Sequence, residues 1–157
     1  METLVPAAVC HHARIRVATE RPVEFVDLTS RIEELAATAG IHIGLVNIQS
    51  RHTTTAIVVN EHEPLLLADF EGLLARVVPD DAAYRHDDLG VRTVNLTPDE
   101  RVNGHAHCRA LLLGSSVCLN VAEGRLQLGC WQRVFLVELD GPRVRDVSIL
   151  VLGERAG

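Results

Sequence analysis

Lysine is missing from this chain: all 15 of its basic residues are arginine, in 157 positions. That rules out a phosphate-loop lysine, a Schiff-base amine and lysine-bound pyridoxal chemistry. Any phosphate must then be met by arginine, backbone N–H groups or a metal. Aromatic residues are scarce, at 3% of the chain with a single Trp and a single Tyr. The core must therefore be assembled from Val, Leu, Ile and Ala, and a base-stacking surface for nucleic acid is not expected. No basic tract gathers along a chain whose formal net charge is −6, which argues against a broad electrostatic surface for nucleic acid or anionic lipid. Paired-cysteine motifs are absent as well. Cys10, Cys108, Cys118 and Cys130 stand far apart, and reduced, buried thiols are expected. No apolar run approaches membrane-spanning length and no leader-like pattern opens the chain, so a cytoplasmic protein without a membrane partner is expected.

What is present is an ordinary globular composition, 47% apolar and 23% charged, with length enough for one domain over residues 1–157. Two short strands are expected within 13–28, on either side of Arg21-Pro22. Ser30-x-x-Glu33 reads as a capping box opening a helix with Ile32, Leu35, Ala36 and Ala39 on its apolar face, ended by Gly40. Strands follow at 43–49 and 54–59, the second β-branched almost throughout. Pro64 suits the first turn of a second helix with Leu66, Phe70, Leu73 and Val77 inward, stopped at Pro79. The pattern then weakens into a loop from Asp80 to Leu96. A third helix is expected from Asn103 to Gly114. Apolar runs at 116–121, 125–128, 131–139 and 144–152 are punctuated by turn residues and suit an antiparallel meander. Helices interspersed with hairpins make the fold α+β, mainly antiparallel and sandwich-like, with about three helices.

Chemistry concentrates in the histidines, of which there are eight. His105 and His107, in Asn-Gly-His-Ala-His, put two imidazoles on one side of an extended segment or on the first turn of a helix. His52 precedes Thr53-Thr54-Thr55 at the mouth of an apolar strand, and His86 sits among carboxylates in Tyr-Arg-His-Asp-Asp. Imidazoles of this number suit Zn²⁺ or a similar divalent ion in an open site. The candidate ligands or acid/base groups are His52, His86, His105 and His107, with Asn60 and Asn103 orienting them or the substrate. Thr53, Ser115, Ser116, Trp131, Gln132 and Arg143 are candidate substrate contacts, although core packing is an equal expectation for Trp131. His62, in a polar patch before the second helix, is expected to serve the connection there.

The ordered blocks His52-Thr-Thr-Thr-Ala56, Asn60-Glu61, Tyr84-Arg-His86, Asn103-Gly-His-Ala-His107, Leu113-Gly-Ser-Ser116, Gly129-Cys-Trp-Gln132 and Glu138-Leu-Asp-Gly-Pro-Arg143 resemble the YjbQ-like family, also called the secondary thiamine-phosphate synthase family. The resemblance runs over nearly the whole chain. It implies an α+β fold, a homotrimer, a histidine pocket near the subunit boundary, and a weak ability to join the pyrimidine and thiazole phosphate halves of thiamine. Cys108, Cys130 and His62 depart from the family pattern without removing an expected ligand. The leading expectation is thus a metal-assisted enzyme acting on a small phosphorylated metabolite. A metal-dependent hydrolase and a non-catalytic trimeric metal- or metabolite-binding protein are the alternatives. The apolar runs Leu111–Leu113 and Val147–Leu152 add slight independent support for self-association.

Overall fold

A polar–apolar alternation runs from Ala8 to Ala18, and in the computed structural model, which describes residues 8–156, that stretch is one long strand, β1. β2 follows at Glu24–Asp27, then helix α1 at Thr29–Ala39. Gly40 ends α1 with φ +69°, a left-handed conformation that residues with a Cβ rarely adopt. β3 (Ile43–Ser50) and β4 (Thr55–Glu61) lead into α2 (Pro64–Val77). A single 3₁₀ turn at Arg85–Asp87 interrupts the long connection to α3 (Gly104–Leu113). β5 (Ser116–Ala122), β6 (Arg125–Leu126), β7 (Gln132–Glu138) and β8 (Val144–Glu154) complete the chain.

The strands form two antiparallel sheets, one of five strands ordered β1-β8-β3-β5-β6 and one of three ordered β2-β7-β4. The main core lies between them. Val46, Ile48, Val147, Ile149 and Val151 of the larger sheet face Ile57, Val134 and Leu136 of the smaller, and α1 closes one end with Leu28, Ile32 and Ala36. A second core fills the other side of the small sheet, where Ala56, Phe135 and Val137 meet Leu74 of α2 and Ala106 and Ala110 of α3. The α+β, mainly antiparallel, three-helix expectation therefore holds, built as sheet, sheet and helices in layers.

Several local expectations are corrected. The Ser30 capping box does not form. Leu28 is the N-cap residue and offers no side-chain cap, while the Asp27 carboxylate takes the Thr29 N–H at 2.8 Å. A carboxylate one position earlier reaches the same orphan donors. In α2, Leu73 and Val77 are exposed and Leu74 is buried. Leucines at 65, 66, 67, 73 and 74 offer two overlapping stripes, and packing against Phe135 and Ala106 selects the second. The C-terminal strands are not a meander, because β7 leaves its neighbours for the centre of the small sheet. All four cysteines are free and exposed rather than buried. Cys10 and Cys118 fall on outward positions of the larger sheet, whose pleat decides the matter. Trp131 is exposed by 71% and is no part of the core.

Candidate functional site

Where β3 ends at Ser50, its hydrogen-bonding partner β8 continues. The main chain of Asp146 still offers both groups on that side. Its carbonyl accepts the Arg51 N–H at 3.3 Å, and its N–H donates to Nε2 of His52 at 2.8 Å. The imidazole thus replaces the backbone acceptor that the departing strand no longer supplies. Because Nε2 accepts, the neutral ring carries its proton on Nδ1. Partial burial, reinforced by the Arg145 guanidinium, holds the His52 pKa below the usual histidine range despite Asp146 and Glu138 nearby.

His86 and His107 are far apart in sequence and are joined by the residue between them and the helix start. Asp87 accepts the N–H groups of Asn103 and Gly104 at 3.0 and 2.8 Å, clamping the 3₁₀ turn onto the first turn of α3. Glycine is required at 104, since a Cβ there would lie 2.5 Å from Cβ of Tyr84. The clamp brings the His86 and His107 rings to 4.6 Å between centroids. Nε2 of His86 accepts from Arg92 Nη1 at 3.1 Å, and the same guanidinium holds Glu100 at 2.5 Å and the carbonyls of Val94 and Asn95. His107 has no side-chain hydrogen bond among the described residues. Burial first, then His86 and Arg92, lower its pKa in spite of Asp140, so it stands neutral near pH 7 with a nitrogen free to take a proton.

The third wall is a buried ion-pair network. Glu138 is wholly buried and accepts from Arg145 Nε at 2.6 Å and Nη2 at 2.5 Å, from Thr19, and from the N–H groups of Leu139 and Asp140. Burial raises its pKa, but these donors outweigh it and leave the carboxyl below the ordinary range. Asp140 in turn accepts from Asn103 Nδ2 at 2.9 Å and Arg143 Nη2 at 2.8 Å, with Arg101 at 3.9 Å. The other amide atom of Asn103, Oδ1, is buried without a partner.

These walls enclose an open cavity of about 470 Å³ lined by His52, His86, His107, Thr53, Asn103 and Arg143 among others. It also takes in Arg51, Arg92, Arg101 and Arg145, so five arginines stand against Asp99, Glu100 and Asp140. With Glu138 set behind Arg145, the charges sum to one net positive before any histidine is protonated. Arg51 forms no ion pair among the described residues. The cavity is therefore suited to an anion.

Other candidates fall elsewhere. His105 turns from the cavity toward Tyr84, with centroids 6.4 Å apart, and its Nδ1 is buried and unpaired. Asn60 lines an apolar cleft with Phe25 and Phe70. Gln132 holds the turn before β7 by accepting the Gly129 N–H at 2.8 Å. Ser116 is exposed and pairs with Gln49 at the end of the β3–β5 ladder. Ser115 lines an adjoining cavity with His52, Thr53 and His107. His62 donates to or shares a proton with Asp27 at 3.0 Å, beside the α1 start. As metal donors the four histidines do not converge: His105 is apart, Nε2 of His52 and of His86 are engaged by N–H donors, and no group of three His, Cys, Asp or Glu among the described residues suits a metal ion. Arg51, Arg92, Arg101, Arg145 and Asp140 were not singled out from sequence. The one available signal was Arg51 beside His52, and the others stand beside no histidine in the sequence.

Fold and site define an α+β protein of two antiparallel sheets with an arginine- and histidine-lined cavity at their shared edge. The chain belongs to the UPF0047 protein YjbQ-like family, which matches residues 13–154. A UPF0047 protein of Methanothermobacter thermautotrophicus is 40% identical over 136 residues, 87% of each chain. The crystal structure of a YbjQ-like protein of unknown function from Sulfolobus solfataricus P2 has a TM-score of 0.85 at 35% identity, covering 94% of this chain and 100% of that one. A hypothetical protein from Aeropyrum pernix K1 gives 0.81 at 37% identity, over 92% and 99%. The membership that the ordered motifs implied is thereby established. No described helix is long and apolar enough to cross a membrane.

Proposed function

We propose that the cavity binds the phosphate of a small metabolite and that His107 acts there as an acid/base group. The observation that carries this reading is a surplus of arginine around an imidazole with no hydrogen bond of its own. Arg51, which has no ion pair among the described residues, is the leading phosphate contact. It is joined by Arg101 and Arg143, which share the single carboxylate of Asp140, whereas Arg145 and Arg92 are each committed to a carboxylate of their own, Glu138 and Glu100. Neutral His107 takes or returns a proton on the bound metabolite, with general acid–base effects of typically 10²–10⁴-fold. His52, with its Nε2 held by the Asp146 N–H, presents a ring whose proton sits on Nδ1 and so serves as a hydrogen-bond donor. Asn103 orients Asp140, which in turn aligns Arg143.

The direct test is titration calorimetry with inorganic phosphate on the wild type and on Arg51→Ala and Arg143→Ala. Binding weakened at least about tenfold in each variant supports the reading, that factor being about 1.4 kcal/mol. No binding to the wild type, or identical binding in all three proteins, removes it. Phosphorylated thiamine precursors are the first compounds to assay for turnover, with His107→Ala as the inactive control. The divalent metal and the homotrimer expected from the sequence carry no step in this proposal and are tested separately. Elemental analysis of untagged protein decides the first, and light scattering at micromolar concentration the second.

A further inference from the structure

Between Leu89 and Glu100 the chain builds one wall of the arginine cavity without joining either core. Arg92, Asn95, Thr97, Asp99 and Glu100 all line the cavity. Yet Leu89, Val91, Val94 and Leu96 are exposed by 45–67%, and no residue from 79 to 103 belongs to either apolar cluster or packs against one. Polar contacts hold the segment together instead, and one guanidinium makes most of them. Arg92 donates to the carbonyls of Val94 and Asn95 and to Glu100. The second oxygen of Glu100 accepts the Thr97 N–H at 3.2 Å and the Thr97 hydroxyl at 3.1 Å. Both ends of the segment are pinned. Asp87 is clamped onto α3, and Arg101 Nη1 donates to the Asp140 carbonyl at 3.1 Å. Beyond the turn at Asp87 and Asp88 from which the segment springs, one hydrogen bond among the described residues ties it to the rest of the molecule. That bond runs from Arg92 Nη1 to Nε2 of His86, at 3.1 Å.

We propose that residues 89–100 form a lid that swings as one body between the two pinned ends, latched by Arg92 on His86, and that its opening admits ligand to the cavity. A segment with no buried apolar contacts opens locally at low free energy. Its internal bonds decide how it opens. Releasing the latch breaks one hydrogen bond to a neutral imidazole. Fraying the loop breaks the bonds of Arg92 to two carbonyls and to a carboxylate, and bonds between charged groups are the stronger kind. The latch therefore yields first, and the loop leaves with its own contacts intact. Lids of this kind move on the microsecond-to-millisecond scale. The motion belongs to the empty protein and does not depend on which anion the cavity takes.

Amide relaxation dispersion on the full chain, without added ligand, reads motion on that scale. Leu89 to Glu100 should share one exchange rate, with Asn103 and Gly104 beyond the pinned end silent. His86→Leu removes the acceptor and leaves the contacts of Arg92 with Glu100 and the two carbonyls in place. Loss of one hydrogen bond should raise the open population at least about threefold, while the Glu100 N–H, bonded to the Thr97 carbonyl, keeps its protection from hydrogen exchange. Access to the cavity is read by diethyl pyrocarbonate, which acylates neutral imidazole. Its reaction at both His52 and His107 should quicken in His86→Leu relative to exposed His42. A silent loop, residues that follow unrelated rates, or a variant that matches the wild type overturns the lid. Quickening confined to His107, the neighbour of the substituted ring, overturns its role as a gate. Should His86→Leu not fold, Arg92→Lys replaces it, because an ammonium cannot hold the planar set of acceptors. The shared rate should then be lost, and an unchanged one overturns the proposal too.

Discussion

His52 and His107 show how position converts one residue type into different tools. The first has an N–H donor fixed on Nε2 and the second has none, yet both lie below the usual histidine pKa because burial disfavours the cation. Any activity that needs neutral His107 should therefore rise with pH through an apparent pKa below that of free histidine, then level off near neutrality. A profile whose rising limb lies above pH 7 would contradict that assignment. Glu138 is the residue whose loss should cost most. Glu138→Gln removes the charge facing Arg145 in a site where both side chains are almost wholly buried. Breaking one half of such a pair costs about 3–5 kcal/mol, and urea unfolding should record a loss of that size. Glu71→Gln, which breaks a half-exposed pair with Arg21, should change stability by no more than about 1 kcal/mol in the same assay.

Among the elements, α3 is the one on which the site depends, and its start is held from outside. Asn103, its N-cap residue, makes no side-chain cap, and Asp87 from the preceding 3₁₀ turn does so instead. Asp87→Asn keeps the shape but weakens the acceptor. It should cost about 0.5–2 kcal/mol and let the His86 and His107 rings separate, visible as a change in their imidazole NMR signals. Gly104→Ala drives a methyl group into Tyr84, and overpacking of this kind costs about 1–3 kcal/mol. If thermal unfolding shows no decrease for Gly104→Ala, the tight approach is not a constraint. The start of α2 was legible in the sequence because its cap is local: Pro64 takes the first turn and Glu63 accepts from Leu65 and Leu66. The starts of α1 and α3 were legible to within a residue, but the groups that cap them were not, because a carboxylate just outside the expected pattern, or sixteen residues away, takes the donors.

For the molecule as a whole, the cited shifts set the direction of its acid stability. The folded protein holds His52 and His107 neutral at a pH where the unfolded chain has begun to protonate its histidines. The unfolded state then binds more protons, so stability falls as pH drops below the ordinary histidine range. Asp27 and Glu138 act at lower pH. Burial raises each carboxyl, but donors from Thr29 and His62, or from Arg145, outweigh it. Their stabilisation is complete above the ordinary carboxylate range and is lost as pH falls through their lowered values. Melting temperatures from pH 8 to pH 3 should thus decline in two stages, and the paired substitutions His52→Asn and His107→Asn should flatten the upper stage alone. A single decline confined to the carboxylate range would contradict this.

The α+β class, the three helices, most strand positions and the family membership were determined by the sequence itself. They rest on periodicity, on turn and cap residues close to the elements they end, and on motifs kept in order. Tertiary structure decided which leucines of α2 turn inward, which sheet β7 joins and which histidines meet. It also decided that arginine, more than histidine, defines the cavity. Arg51, Arg92, Arg101, Arg143 and Arg145 come from four separate turns and strand ends. No spacing along the chain relates those positions. Only the ending of β3 beside a continuing β8 and the Asp87 clamp on α3 bring their charges around one space, where their summed field gives them a function that no single arginine reveals.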